Sequence, residues 1–90
     1  MELKDTVQGM LSEDYRQRFI AEWQQLKIRH GKLKALTDAI DLALLLPDEH
    51  EMPEHNCPVE MLKKQFKIMT DYLCMLEARA VVEHIMLPDM

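Results

Sequence analysis

Two columns of apolar side chains run side by side through the C-terminal third of the sequence. Within each column the residues recur every seven positions. Together the columns give the alternating spacing of three and four residues that keeps one narrow apolar seam on one side of a helix. This seam predicts a helix packed against another helix. The columns are Leu62, Met69 and Leu76, and Phe66, Leu73 and Ala80.

A second long helix is predicted upstream, where a further column repeats at the same interval. Its flanking column is mixed in polarity, which indicates that part of this helix lines a polar environment. Two helices cannot enclose a core by themselves, so the pattern predicts a homo-oligomer with any ligand site between its copies. The apolar column is Phe19, Leu26, Leu33 and Ile40, and the mixed one is Trp23, His30, Thr37 and Leu44.

We therefore predict a single all-α domain made of a long antiparallel two-helix hairpin with a short N-terminal helix. The short helix covers about residues 1–10 and stops near Gly9. The long helix covers about 13–46, with Ser12 as its N-cap, and an acidic loop follows over 47–57. The last helix covers about 58–86, with Pro58 in its first turn and Cys57 or Asn56 as its cap.

The composition favours helices and argues against binding to nucleic-acid polymers. Hydrophobic residues make up 48% of the chain, but only 6% is aromatic and only two residues are Gly. Eleven basic and sixteen acidic residues give a formal net charge of −5, with no basic stripe of the kind that grips DNA or RNA. Any phosphate must therefore be recognised by a local basic pocket, which suits a small anionic ligand.

The sequence predicts a cytoplasmic protein with no membrane segment. Its first residues lack the apolar core of a signal peptide, and no apolar run approaches the length of a membrane span. Cys57 and Cys74 are isolated thiols, which fits a reducing compartment better than a disulfide scaffold.

Neither an enzyme nor a metal protein is predicted. His50, His55 and Cys57 stop short of the four ligands of a typical zinc site and lie in an acidic loop that we expect to be solvated. His30 and His84 have no nucleophile near them in sequence. The chain has no glycine-rich phosphate loop and no cofactor motif. We expect no catalytic residues, no metal and no cofactor.

Trp23 and Arg79 are the strongest candidates for ligand contact, and each has a structural alternative. Trp23 offers either a core side chain or a flat surface for stacking a base. Arg79 lies between two alanines on a helix stripe with Gln65 and Tyr72, where its guanidinium fits either a phosphate or a carboxylate such as Glu22. Three further basic residues fit a solvated helix face and a set of phosphate contacts equally well. They are Arg29, Lys32 and Lys34.

Two segments carry a resemblance to a known family. They are EWQQLKIRHGKL from Glu22 to Leu33 and CPVEMLKKQFKIMTDYLCMLEARA from Cys57 to Ala80. This pattern resembles the small phage proteins that act as anti-CBASS cyclic-nucleotide sponges, which are distantly related to the helical part of anti-Thoeris sponges. The resemblance covers about residues 13–87.

The resemblance implies a hexamer built as a trimer of dimers, with cyclic dinucleotides or trinucleotides bound between protomers. It matches Trp23 to an aromatic that stacks on a base, Gln24 to its polar neighbour, and Arg79 to a phosphate-binding arginine. The predicted set of ligand-binding residues also includes Tyr72, which shares a helix stripe with Arg79. The family's dinucleotide site also uses a lysine that follows the main motif of the first helix. The nearest basic residue here is Lys34, but the aligned position is either that of Lys34 or that of Asp38, which is not basic.

The sequence thus predicts a phage anti-defence protein that sequesters cyclic di- or trinucleotides without cleaving them. The alternative is a small helical accessory protein that binds a host protein directly. An enzyme that cleaves the signal is the least favoured class, because no nucleophile–base pair and no complete metal site is visible.

Overall fold

The bounds of the long helices differ by a few residues from those that the apolar pattern predicts. A computed structural model describes all 90 residues. Helix α2 spans Tyr15–Leu45, and Asp14 caps it by accepting a hydrogen bond from the Arg16 amide at 2.9 Å. The predicted cap, Ser12, instead accepts from the Asp14 amide at 3.1 Å. The helix therefore begins two residues later than predicted, and the restriction that Pro47 places on Leu46 ends it.

Helix α3 spans Val59–Val82 and is shorter than predicted at its C-terminal end. His84 adopts a left-handed backbone with φ of 58°. The Ile85 amide then donates to the Ala80 carbonyl at 2.8 Å, and the His84 amide donates to Val81. These two bonds form a Schellman motif, which stops the helix four residues before position 86. At the other end Pro58 is the N-cap, and neither Cys57 nor Asn56 caps the helix.

The N-terminal segment begins as a 3-10 turn over Leu3–Thr6 and continues as the short helix α1 over Val7–Met10. Gly9 lies in the last turn of this helix, which ends one residue later at Met10, close to the predicted stop. A Cβ placed on Gly9 would lie 2.9 Å from the Ala21 Cβ, so glycine is what allows the segment to pack directly on α2. Gly31 has nothing within 4 Å of its Cβ position, so it marks no close approach.

The two long helices pack antiparallel, because contacts between them pair rising residue numbers with falling ones. Trp23 Nε1 donates to Glu77 at 3.1 Å, and Lys63 pairs with Asp41 at 2.7 Å farther along. Together with the absence of strands, this confirms the all-α prediction. The main buried cluster lies at the end of the hairpin away from the connecting loop, and it comprises Phe19, Trp23, Leu26, Leu76, Ala80 and Ile85.

A further polar contact between the two long helices lies near the middle of the hairpin. His30 Nε2 is 2.8 Å from the Thr70 hydroxyl, and its ring stacks on Phe66 with centroids 4.5 Å apart. The Thr70 hydroxyl donates its single hydrogen to the Phe66 carbonyl at 2.9 Å. His30 must therefore be the donor to Thr70, which assigns the proton to Nε2.

Candidate functional site

Arg79 lies where the C-terminal end of α3 meets the N-terminal end of α2, and its guanidinium is held on three sides. Its Nε donates to Glu83 at 3.0 Å, one turn along the same helix. Its Nη2 donates to the Tyr15 hydroxyl at 2.7 Å, and its Cζ lies 5.2 Å from the centre of the Phe19 ring. The Arg79 side chain is still 46% exposed, so the fork is oriented by the protein and open to solvent.

Tyr15, Arg79 and Glu83 form a closed hydrogen-bonded triangle, because the Tyr15 hydroxyl also donates to Glu83 at 2.8 Å. That donation, together with the Arg79 charge, lowers the pKa of Glu83 below its ordinary value of 4.5. The same bond to Glu83 raises the pKa of Tyr15. Hydrogen bonding to Glu83 and its charge raise the pKa of Arg79. The triangle is therefore a carboxylate, a neutral phenol and a cation at neutral pH.

A cavity of about 270 Å³ opens beside this triangle. It combines two guanidinium groups, Arg18 and Arg79, with the aromatic rings of Tyr15 and Phe19. Arg18 is itself oriented by donating to the Ser12 carbonyl at 2.8 Å. Glu22 adds a carboxylate to the lining, and Met10 of α1 completes it. Two positive forks next to aromatic surfaces can bind a phosphate and a flat ring together.

Trp23 is in the core of the protomer. It is 3% exposed, its Nε1 is bonded to Glu77, and the Lys27 amine lies 4.9 Å from the ring centre. The core alternative for Trp23 accounts for this placement, since the ring has no open face for a base in the free protomer. Base stacking on Trp23 stays a prediction that requires the ring to be uncovered first.

The other predicted ligand residues are spread along the hairpin. Gln24 is half-buried beside Trp23 on α2. Tyr72 is exposed on α3 and its hydroxyl donates to the Glu22 carboxylate. Lys34 pairs with Asp38 at 2.7 Å, so the two candidates for the family's lysine position contact each other. Arg79 lies beside Phe19, and Lys34 follows Phe19 by about 22 Å along α2, so one protomer cannot bring Lys34 and Arg79 together.

Arg79 also belongs to a second seam on α3, which we call the exposed stripe. Its residues alternate in spacing between four and three, as in a coiled coil, and all are exposed. The stripe runs along the edge of the helix pair, where Tyr72 and Arg79 still reach polar side chains of α2. Several are large and apolar, such as Met75 at 60% and Val82 at 75% exposure. A face of this pattern indicates packing against a further helix. The exposed stripe comprises Met61, Gln65, Ile68, Tyr72, Met75, Arg79 and Val82.

Sequence reasoning missed three groups that touch Arg79 or its cavity. Glu83 follows Arg79 by four residues, a spacing that places two side chains on one helix face, so this partner was visible in the sequence. Tyr15 and Arg18 are more than 60 positions away and meet Arg79 through the pairing of the two helices. No local sequence signal reports that pairing for these two side chains.

A comparison with known families matches most of the chain. The family model described as Sequestin matches residues 13–82, which includes α3 and nearly all of the cavity beside Arg79. The chain belongs to the Sequestin family. The Sequestin match leaves out the N-terminal segment, which contains Leu3. It also leaves out Glu83, which is one hydrogen-bond partner of Arg79. No curated protein and no solved structure matches the chain.

The name of the Sequestin family suggests a sequestering protein. The triangle holds a cation, a phenol and a carboxylate in contact with each other. No group of three or more His, Cys, Asp or Glu side chains is placed to hold a metal ion. None of the helices has the length and apolar character needed to span a bilayer.

Proposed function

We propose that this Sequestin-family protein binds cyclic di- or trinucleotide second messengers and sequesters them intact, as a phage anti-defence protein in the bacterial cytoplasm. The observation that carries the proposal is the placement of Arg79, an oriented and half-exposed guanidinium beside Arg18 and two aromatic rings. In the free protein Glu83 occupies this fork. A ligand phosphate would replace that carboxylate as the partner of Arg79.

We further propose that the ligand site is completed by neighbouring protomers. The exposed stripe contains Arg79 and Tyr72, so packing of this stripe against its copies would bring several guanidinium groups toward one axis. A cyclic ligand with two or three phosphates carries a matching number of negative charges. This arrangement also accounts for the separation of Lys34 from Arg79, since Lys34 would then act from a different protomer.

Titration calorimetry with a panel of cyclic di- and trinucleotides tests the proposal. We expect at least one ligand to bind the wild-type protein, and Arg79→Ala to lose about tenfold or more in affinity. Arg79→Lys should recover part of the affinity, because an ammonium cannot reproduce the planar fork. The control is Arg16→Ala, which removes an exposed arginine of the same helix pair that lines no cavity. Equal affinity in wild-type and Arg79→Ala proteins would refute the role of Arg79.

Sequestration is separated from catalysis by recovering the ligand. After incubation and heat denaturation, the bound cyclic nucleotide should be returned unchanged in chromatography. Conversion into linear nucleotides would identify an enzyme instead.

The exposed stripe favours one second candidate, direct binding to a host protein through a helix-on-helix contact. That function requires the stripe to be free of copies of the chain. A protein that stays monomeric at micromolar concentration and binds none of the cyclic nucleotides would favour this candidate.

A further inference from the structure

The largest cavity of the protein, about 450 Å³, lies at the middle of the hairpin and apart from the Arg79 site. All three parts of the fold contribute to its walls. Helix α2 contributes Arg29 and Lys32, α3 contributes Gln65, and the N-terminal segment contributes Leu3. Arg29 follows Phe19 by about 15 Å along α2, so the two cavities are separate.

The two cations of this cavity are exposed and have no carboxylate partner. None of the ion pairs of the protein includes Arg29 or Lys32, although Lys34 and Lys63 nearby are both paired. Arg29 and Lys32 are three positions apart on one helix, where like charges repel each other. A bound anion would relieve that repulsion and satisfy both groups.

The remaining wall of the cavity is apolar. Leu33, Leu36 and Met69 line it and are half-buried, so each still exposes part of its side chain. Gln65 adds an amide that can both donate and accept hydrogen bonds. An apolar wall with a few polar groups at one side is the usual character of a small-molecule site, and 450 Å³ is within the usual size range.

We propose that this cavity binds small organic anions that have an apolar or aromatic body. Arg29 and Lys32 hold the phosphate or carboxylate group, and the leucine and methionine side chains cover the body. Arg29 can bind the anion with two parallel hydrogen bonds, while Lys32 contributes a point charge.

This site goes beyond the proposed capture of cyclic nucleotides, because it shares no lining residue with the cavity beside Arg79. Leu3 precedes residues 13–82, and the segment that carries it is fastened to α2 where Gln25 donates to the buried Thr6 hydroxyl at 2.9 Å. Leu3 is thus the one lining residue that lies outside the matched region.

Titration calorimetry on the full chain with four probes tests the inference. Adenosine monophosphate and octanoate each combine an anion with an apolar body, and they separate phosphate from carboxylate recognition. Adenosine lacks the anion and inorganic phosphate lacks the body. We expect at least one of the first two probes to bind, and to bind about tenfold or more tightly than adenosine and inorganic phosphate. If neither amphipathic anion binds at millimolar concentration, or if inorganic phosphate binds as tightly, the inference is overturned.

A pair of matched double variants locates the binding. Arg29→Gln/Lys32→Gln should lower the affinity for the probe about tenfold or more. Arg16→Gln/Lys67→Gln removes the same amount of charge from residues that line no cavity and should leave binding unchanged. Equal loss in both double variants would show an effect of net charge, and no loss in the first would place the probe elsewhere.

The Arg79→Ala variant separates this inference from the proposed function. It should bind the probe as the wild-type protein does, while losing cyclic nucleotides. If Arg79→Ala fails to bind the probe, the probe binds in the cavity beside Arg79, and the inference is overturned. Probe binding by a protein that captures no cyclic nucleotide would leave this site standing and remove only the proposed function.

Discussion

At the scale of single residues, the burial of Trp23 leads to a clear expectation for stability. The ring is 3% exposed and packs in the main core cluster. We expect Trp23→Ala to lower the free energy of unfolding by about 3–5 kcal/mol, measured by urea denaturation followed by circular dichroism. Leu45→Ala, at a position 76% exposed, should change it by less than about 0.5 kcal/mol. A Trp23→Ala protein of wild-type stability that loses ligand would support stacking instead.

Glu83 should make stability depend on pH in acid. Its pKa is lowered in the folded protein, so the unfolded chain binds more protons as the pH falls, and folding loses the contribution of this carboxylate. The contribution is fully present above about pH 4.5 and is lost as the pH falls through the lowered pKa. In melting experiments, Glu83→Gln should be less stable than wild type at pH 6, and the two should converge in acid.

Glu54→Gln is the control for this titration, because Glu54 is exposed in the acidic loop and forms no hydrogen bond or ion pair. It should follow the wild-type curve throughout. A constant difference between Glu83→Gln and wild type at every pH would show that the carboxylate acts through packing rather than through its charge.

At the scale of elements, the two glycines should respond to alanine in opposite directions. Gly9→Ala places a methyl group 2.9 Å from the Ala21 Cβ, so we expect a loss of about 1–3 kcal/mol and faster hydrogen exchange in the N-terminal segment. Gly31→Ala meets nothing within 4 Å in the middle of α2 and should gain about 1 kcal/mol. Urea denaturation measures both, and a stabilised Gly9→Ala would contradict the close packing of α1 on α2.

The elements also show what the sequence could predict. The repeat of seven in Leu62, Met69 and Leu76 was enough to predict α3 and the side that faces α2. The ends of the helices were predicted less well, since they depend on single hydrogen bonds. Asp14 competes successfully with Ser12 as the cap, and the left-handed His84 ends α3 although Ile85 and Met86 continue the apolar pattern.

For the candidate site, too, some features could be predicted from the sequence and others could not. Arg79 could be singled out because a permanent charge between two alanines conflicts with the apolar seam beside it. Its contact with Tyr15 joins residues 64 positions apart and depends on how the two helices are aligned. Trp23 shows the opposite limit, since an aromatic beside a seam fits both a core and a ligand surface until its surroundings are known.

At the scale of the whole molecule, a single protomer is a thin rod with a small core. It measures 51 × 25 × 22 Å, and only 11 of its 90 residues are buried, which leaves the exposed stripe without cover. We expect light scattering at micromolar concentration to show an assembly of several protomers, with a hexamer as the expectation from the resemblance to sponges. A stable monomer would contradict both the assembly and a ligand site between protomers.

A matched pair of valines tests which face assembles. Val82 lies on the exposed stripe and Val81 beside it does not, yet they are 75% and 76% exposed. Val82→Asp should dissociate the assembly, because it would bury an unpaired charge between helices. Val81→Asp should leave the assembly intact. If both variants keep the wild-type mass in solution, the stripe is not the interface.

The hydrogen bond between His30 and Thr70 has a consequence for how the hairpin folds. Apolar columns that repeat every seven residues match again when one helix slides by one heptad, so the columns alone permit misaligned hairpins. Such a slide would separate His30 from Thr70 and Trp23 from Glu77, leaving partly buried polar groups without partners. The two polar contacts thus discriminate against off-register kinetic traps. Replacing His30 and Thr70 with apolar residues should give slower, multiphasic refolding even where the final fold is retained.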